Sequence, residues 1–400
     1  MDVDALPFFP AVLDALRQLP DVAAIYLIGS AARGELSARS TSAGLELFSD
    51  LEFFVVTEKT LPASVRQPVF ARLAEIERDM ANPNPLFHLD VGLREKFRLP
   101  QMLPTIFTFE LKQNGKLLFG EDLRTRLPEI TLRNLDTRDA NEILYKRLWA
   151  LLLHLPKRCT ADLTPAEHRV AGYIFARNAL DIPTVLLPQA GILLPTYRQR
   201  VEKLAEIYPS LPFAPSFGPE FPAFLQTCLQ RRLDLAFEQT DMAILYAQTI
   251  QYLELALACV SRHDARALPG STRGFNERPV APRQWLSLAR MGGQFARRHG
   301  PRAGWAWVRL PKKEVLTQGL LAMHLALLSW HRGEPAEATS HLQASQTHLR
   351  RLTGQVPALP PAFPDQWQVL RKAWGGFWGA FIRLGQNLTP YDAIMEWQHE

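Results

Sequence analysis

Asp50 and Glu52 stand two residues apart in Ser49-Asp50-Leu51-Glu52. In a strand, alternate side chains share a face, so both carboxylates project to one side while Leu51, Phe53 and Val55 project into a core. Upstream, an apolar stretch ending at Ile28 runs straight into Gly29-Ser30. Glycine lets a backbone approach a phosphate closely, and serine can donate from both amide and hydroxyl. A third acid, Asp90, lies in Leu86–Leu93, on the face shared with His88 and Gly92 and opposite Phe87, Leu89 and Val91. Such residues suit nucleotidyl transfer, in which the attacking oxygen and the departing pyrophosphate both carry negative charge. Two divalent cations can stabilise both ends of that displacement. Magnesium takes hard oxygen ligands and keeps several waters, so a few carboxylates suffice. Asp50, Glu52 and Asp90 are therefore the candidate metal ligands and catalytic residues for two Mg²⁺ ions. Asp90 is also a candidate general base for the acceptor's proton.

The elements that must position these groups follow from periodicity. Apolar residues Val12, Leu13, Leu16 and Leu19 predict a helix over Phe8–Leu19, closed by Pro20-Asp21. Val22–Ile28 reads as a buried strand, Ala31–Glu35 as the start of a helix with the Gly-Ser amides at its N-terminus, and Leu51–Thr57 as a second strand. The intervening Leu36–Phe48, rich in Ser, Thr, Arg and Gly, reads as a loop. Val69, Leu73, Ile76 and Met80 predict a helix over Val65–Met80, and Asn82-Pro83-Asn84-Pro85 marks a turn before the Asp90 strand. Leu103–Glu110 is ambiguous between strand and helix. Gly115–Asp122 reads as a strand ending in a turn.

Beyond Pro128 the pattern becomes helical. Asp136–Asp139 offers caps for a long helix through His154. Thr164-Pro165-Ala166-Glu167 has the form of a capping box with proline at the first helical position. That helix runs to about Leu187, with Pro183 expected to kink or split it. Tyr197–Ile207, Phe221–Leu235 and Thr240–Val260 are further helices. Arg262–Lys313 is basic and rich in Gly and Pro, and reads as a linker with a short helix over Trp285–Arg298. It is a solvated linker or a contact for an anionic partner. Two helices over Val315–Leu349, parted by Arg332–Pro335, and one over Trp367–Leu384 end the chain. Trp367, Trp374, Phe377, Trp378 and Phe381 near helical spacing predict core packing rather than base stacking. His324 with His331 and His341 with His348 are too widely spaced for a zinc site. Arg147 with His154 does not make a ribonuclease pair.

The expected class is α+β: a small domain of strands and helices over residues 1–135, then all-α regions at 136–260 and 314–400 joined by the basic segment 261–313. A hydrophobic share of 47% and a charged share of 21% are those of a globular chain with ample core. A net charge of +5 favours anionic partners only weakly, so a nucleic-acid partner is possible but not favoured. Cys159, Cys228 and Cys259 show no ligand spacing, which suits reduced thiols in the cytoplasm. The N-terminus lacks the basic start and apolar core of a signal peptide. The apolar runs Leu148–Leu155 and Leu320–Trp330 are too short or too interrupted for a membrane span, so no membrane partner is expected.

Gly29-Ser30, the Asp50-Leu51-Glu52 strand and the later Asp90 together resemble the signature of the DNA polymerase beta-like nucleotidyltransferase superfamily. A glutamate as second acid and a following helical region resemble its kanamycin and aminoglycoside nucleotidyltransferase branch. Leu117–Asp122 is similar to the turn that closes these domains. Tyr173-x-x-x-Arg177 before Asp181, and Gly191 through Tyr197-Arg198-x-x-Val201, fit its helical part. The resemblance covers about residues 20–122, with looser support to about 205. It implies a small mixed sheet with helices on one side and a nucleotide-binding set of Gly29, Ser30, Arg33, Ser49 and Arg177, with Arg177 facing the triphosphate. The 19 residues between Ser30 and Asp50 exceed the usual spacing. That loop is a candidate for shaping acceptor choice.

The leading expectation is a Mg²⁺-dependent nucleotidyltransferase that moves AMP from ATP to a hydroxyl of a small molecule or a protein and releases pyrophosphate. The alternatives are nucleotide addition to RNA and a non-catalytic nucleotide-binding or partner-binding protein.

Overall fold

The computed structural model describes residues 3–41, 44–80, 82, 84, 87–135, 138–155, 163–267, 293, 296–297, 301, 312–354 and 356–382. The chain forms two compact units. One comprises Met1–Asp139 with Thr164–Thr240, the other Ala140–Leu163 with Asp241–Glu400. Residues 136–260 are divided between the two units, with Thr164–Thr240 in the unit that holds the sheet.

In the first unit, α1 (Phe9–Arg17) leads into β1 (Val22–Ile28), a single helical turn α2 (Gly29–Ala32), the hairpin β2 (Ala38–Thr41) and β3 (Gly44–Leu47), and β4 (Leu51–Thr57). Then come α3 (Ala63–Asp79), β5 (Leu89–Glu95), α4 (Ile106–Asn114) and β6 (Lys116–Gly120). The main sheet has the order β5-β4-β1-β6, with β4 and β5 parallel and the other pairs antiparallel. It is the small mixed sheet that the resemblance implied.

Alternation sorts β4 between two cores. Leu51, Phe53 and Val55 join Val12, Leu16, Leu73 and Ile76 of α1 and α3 beneath one face. Phe54 and Val56 join Tyr26, Leu99, Leu111, Leu123 and Leu127 on the other. Helices therefore cover both faces rather than one, because Leu111 brings α4 onto the face that carries Glu52. This also resolves Leu103–Glu110 as the approach to a helix, capped by Thr105, whose side chain accepts from the Thr108 N–H at 3.2 Å.

Two local expectations change. Leu36–Phe48 is not a loop but mostly a hairpin, pinned where Asn82 and Asn84 donate to the Leu47 carbonyl at 2.9 and 3.0 Å. The Asp90 strand begins at Leu89, not Leu86, and Leu86 itself lies outside the described residues. Gly120, at φ +83°, ends β6 where a Cβ would fall 2.0 Å from the Ala23 carbonyl oxygen, so the closing turn admits only glycine.

The helices of this unit are α6 (Pro165–Leu186), α7 (Tyr197–Ile207), α8 (Ala214–Phe217) and α9 (Phe221–Asp234). They follow α5 (Arg138–His154), most of which belongs to the other unit. Thr164 and Glu167 make both bonds of the capping box, at 2.8 and 3.3 Å. Pro183 does not split α6, which continues to Leu186. Burial on all sides of its second half outweighs one missing backbone donor.

The second unit contains α10 (Met242–Ala267), α11 (Lys312–His331), α12 (Pro335–Thr353) and α13 (Phe363–Ile382). His324 is buried between the Tyr246 hydroxyl at 2.6 Å and the Leu148 carbonyl at 2.9 Å, and burial pushes its pKa down to about 4. Trp367 donates to the Met323 carbonyl at 3.0 Å and Trp374 to Ser345 at 2.9 Å, so both tryptophans pack in the core as expected. The side chains of Phe377, Trp378 and Phe381 lie outside the described residues, as does nearly all of the basic segment with its expected helix over Trp285–Arg298. One window, Met242–Val260, has the length and mean hydropathy, 1.4, of a membrane span, which the apolar runs considered above had passed over. Half of it is buried within the protein, with Tyr246, Ile250, Leu253 and Ala256 inward, as in a core helix.

Candidate active site

The parallel register sets Glu52 directly beside Asp90. On the other side, β1 places Ile28 opposite Glu52, so Gly29 turns away beside that carboxylate. A Cβ on Gly29 would lie 2.7 Å from the Glu52 carboxyl carbon, and φ there is +67°, so the position requires glycine on both counts. Asp50 lies at the mouth of β4. Its Oδ1 accepts the His88 N–H at 3.1 Å, and the His88 carbonyl accepts the Leu51 N–H at 3.0 Å. The sequence thus brings its three acids to the same end of two neighbouring strands.

Arg177 reaches this end from α6, with Nη1 3.7 Å from Oδ2 of Asp50. From Val170 to Leu186 every residue of that helix is buried except Arg177, which is half-buried. An arginine retained where a helix is otherwise enclosed, aimed at a carboxylate and still open to solvent, is placed to meet an anion.

The electrostatics of the acids are those of a crowded anionic cluster. Burial, then the charges of Asp50 and Asp90, push the Glu52 carboxyl up to about 7 against the pull of Arg177 and Arg33. Burial raises Asp50 as well, opposed by Arg177 and His88. Partial burial and the Asp50 charge raise Asp90, the most exposed of the three. Like charges held together in a poorly solvated place favour protonation, and a cation among them would relieve it. Among the described residues no three His, Cys, Asp or Glu side chains are gathered closely enough to enclose a metal ion. Magnesium does not need such a cage. Two carboxylates with water completing the shell suit it, and Asp50 and Glu52 offer that donor set.

Two residues of the expected nucleotide-binding set, Ser49 and Arg33, have buried protein partners. Ser49 is buried. Its hydroxyl accepts the Ser37 N–H at 3.0 Å and lies 3.2 Å from the Tyr173 hydroxyl and 3.4 Å from Arg232 Nη2, facing away from solvent. Arg33 is committed to Glu110 at 2.5 Å and Glu35 at 3.1 Å and lies over the Tyr197 ring. Its charge reaches Glu52, while its Nε and Nη1 bond to Glu35 and Glu110. Ser30 is buried in the α2 turn, and its carbonyl accepts the Glu35 N–H at 2.8 Å.

Sequence reasoning missed the supports. Glu110 on α4 accepts from both Arg33 and Arg200, each at 2.5 Å, joining α2, α4 and α7 in one buried ion cluster. Arg232 of α9 lies against Tyr173 and Tyr197 and donates to the Glu35 carbonyl at 3.1 Å. These partners are remote in sequence, and no local pattern could pair them. Glu77 of α3 lies 3.4 Å from His88 Nδ1 and accepts the Leu89 N–H at 3.0 Å. Its signal was faint: an acid on the same helix turn as the core residues Leu73 and Ile76.

No protein-family model matches the chain, and a search of curated proteins finds no match.

Proposed function

We propose that the chain is a Mg²⁺-dependent nucleotidyltransferase, transferring AMP from ATP to a hydroxyl of a small molecule or a protein. One observation carries the reading: Glu52 and Asp90 in register, with Asp50 at the strand mouth, Gly29 against the Glu52 carboxylate and Arg177 facing Asp50. The sequence resemblance to the DNA polymerase beta-like nucleotidyltransferases supports the same reading.

In this proposal Asp50 and Glu52 hold magnesium, which supplies charge stabilisation for the phosphoryl oxygens and the leaving pyrophosphate. Arg177 binds the triphosphate and lowers the cost of bringing it to a cluster of acids. Gly29 lets the chain pass close to the phosphates. The acceptor oxygen bonds to the α-phosphorus as the bond from that phosphorus to the pyrophosphate oxygen breaks. Asp90, the most open acid, takes the proton of the acceptor hydroxyl. A cytoplasmic location belongs to the proposal and is supported by the free thiols of Cys228 and Cys259.

The test is Mg²⁺-dependent pyrophosphate release from each nucleoside triphosphate in the presence of cell metabolites and proteins, comparing the native chain with Asp50→Asn. A loss of about a hundredfold or more in a folded variant is expected. Native turnover in that variant overturns the assignment.

A further inference from the structure

We infer that Glu77 is a positioning residue that sets the placement of Asp50, a proposed metal ligand, and Asp90, the proposed base, an inference that rests on the proposed function of these acids. Glu77 projects from α3, an element that contributes nothing else to the site. One of its carboxylate oxygens accepts the Leu89 N–H at 3.0 Å, and the other lies 3.4 Å from His88 Nδ1. These two residues immediately precede Asp90. The His88 backbone N–H donates in turn to Asp50 Oδ1 at 3.1 Å, and its carbonyl accepts from Leu51 at 3.0 Å. One side chain thus anchors the start of β5 to a helix, and the anchored segment grips the acid at the start of β4.

The physical need is clear. Among the described strands, β5 lies at the edge of the sheet, paired with β4. Its ladder with β4 begins at Leu89, so His88 and the residues before it are placed by contacts outside that ladder. The parallel ladder sets Glu52 against Asp90, but Asp50 lies outside it, before the first strand residue. Its carboxylate is oriented by the His88 N–H, which leaves Oδ2 directed toward Arg177 and available to a cation. Releasing Glu77 would loosen both acids together while leaving the sheet intact.

The experiment measures Mn²⁺ binding to the full chain by electron paramagnetic resonance, without nucleotide, alongside deuterium uptake of peptides spanning residues 87–95. Glu77→Ala is expected to weaken Mn²⁺ binding about tenfold, as loss of a ligand-orienting partner does, and to speed exchange over 87–95. Glu77→Gln, whose amide oxygen can still accept from Leu89, is expected to recover most of the affinity. Glu75→Ala, exposed on the same helix and paired with Arg72, is expected to bind as the native chain does. If Glu77→Ala does not fold, Glu77→Met keeps the volume and removes both acceptors. Native Mn²⁺ affinity in the folded Glu77 variant, whatever the exchange shows, overturns the inference and leaves Glu77 as a packing residue. Native affinity in Asp50→Asn, or no Mn²⁺ binding by the native chain, overturns the metal-site reading itself, and this inference with it.

Discussion

Arg177 stands 3.7 Å from Asp50, a guanidinium from the helical layer facing a carboxylate at the mouth of a strand. Among the residues from Val170 to Leu186, it alone is not buried. A merely structural ion pair would gain little from that exposure, since partly solvated pairs contribute about 0–1 kcal/mol. Binding an incoming anion explains both the charge and the opening. Arg177→Met should raise KM for the triphosphate about tenfold or more, since charge-assisted bonds contribute about 1.5–3 kcal/mol. Arg177→Lys should recover part of the loss, as a point charge without the planar fork. Steady-state kinetics over a range of nucleotide concentrations checks both.

Gly29 offers a test independent of any charged group. Gly29→Ala forces a Cβ into a left-handed backbone and against the Glu52 carboxylate. The backbone alone should cost about 1–2 kcal/mol. Thermal unfolding should show that loss, and turnover should fall further than stability does, because Glu52 must move to admit the methyl.

The acids predict a pH dependence of known sign. The Glu52 carboxyl is raised from its ordinary 4.5 to about 7, by burial first and then by Asp50 and Asp90, with Arg177 and Arg33 opposing. Asp50 and Asp90 are raised too. An acid whose native pKa exceeds its unfolded value binds protons more tightly when folded. Its stabilising contribution is therefore complete below the unfolded pKa and lost as pH rises through the native one. Without divalent cations, the thermal midpoint should fall as pH climbs from about 4.5 to about 7. Added Mg²⁺ should restore it most at the upper end, with protons released on binding. Calorimetry in buffers of different ionisation enthalpy measures that release.

Glu110 holds two arginines, Arg33 and Arg200, that are almost fully enclosed. Glu110→Ala would leave Arg200 buried without its carboxylate and Arg33 with Glu35 alone. It should destabilise the fold by about 3–5 kcal/mol, the usual result of breaking a buried pair by removing one partner. Urea denaturation followed by circular dichroism measures it. Glu110→Gln, which keeps the acceptor oxygen, should lose less.

The strands were legible because each acid sits in an alternating apolar run. Leu51, Phe53 and Val55 could face a core only if Asp50 and Glu52 faced away. The capping box at Thr164 and the glycine at the Gly120 turn were equally local. The hairpin over residues 38–47 escaped notice because its strands are short and polar, and it is held by Asn82 and Asn84, remote in sequence. Ser49 and Arg33 looked like ligand contacts because their types suited the role. Their burial by Tyr173, Arg232, Glu35 and Glu110 depends on helices far along the chain.

By itself, the sequence determined which side chains share a strand face and where most of the helices lie, since these follow from the period of the backbone. Only the tertiary structure decided the β4–β5 register that sets Glu52 beside Asp90, the exposure of Arg177 in an otherwise enclosed helix, and the commitment of Arg33 and Ser49 to buried partners. Register and burial arise from contacts between segments remote along the chain, and a local pattern holds no record of what will pack against it.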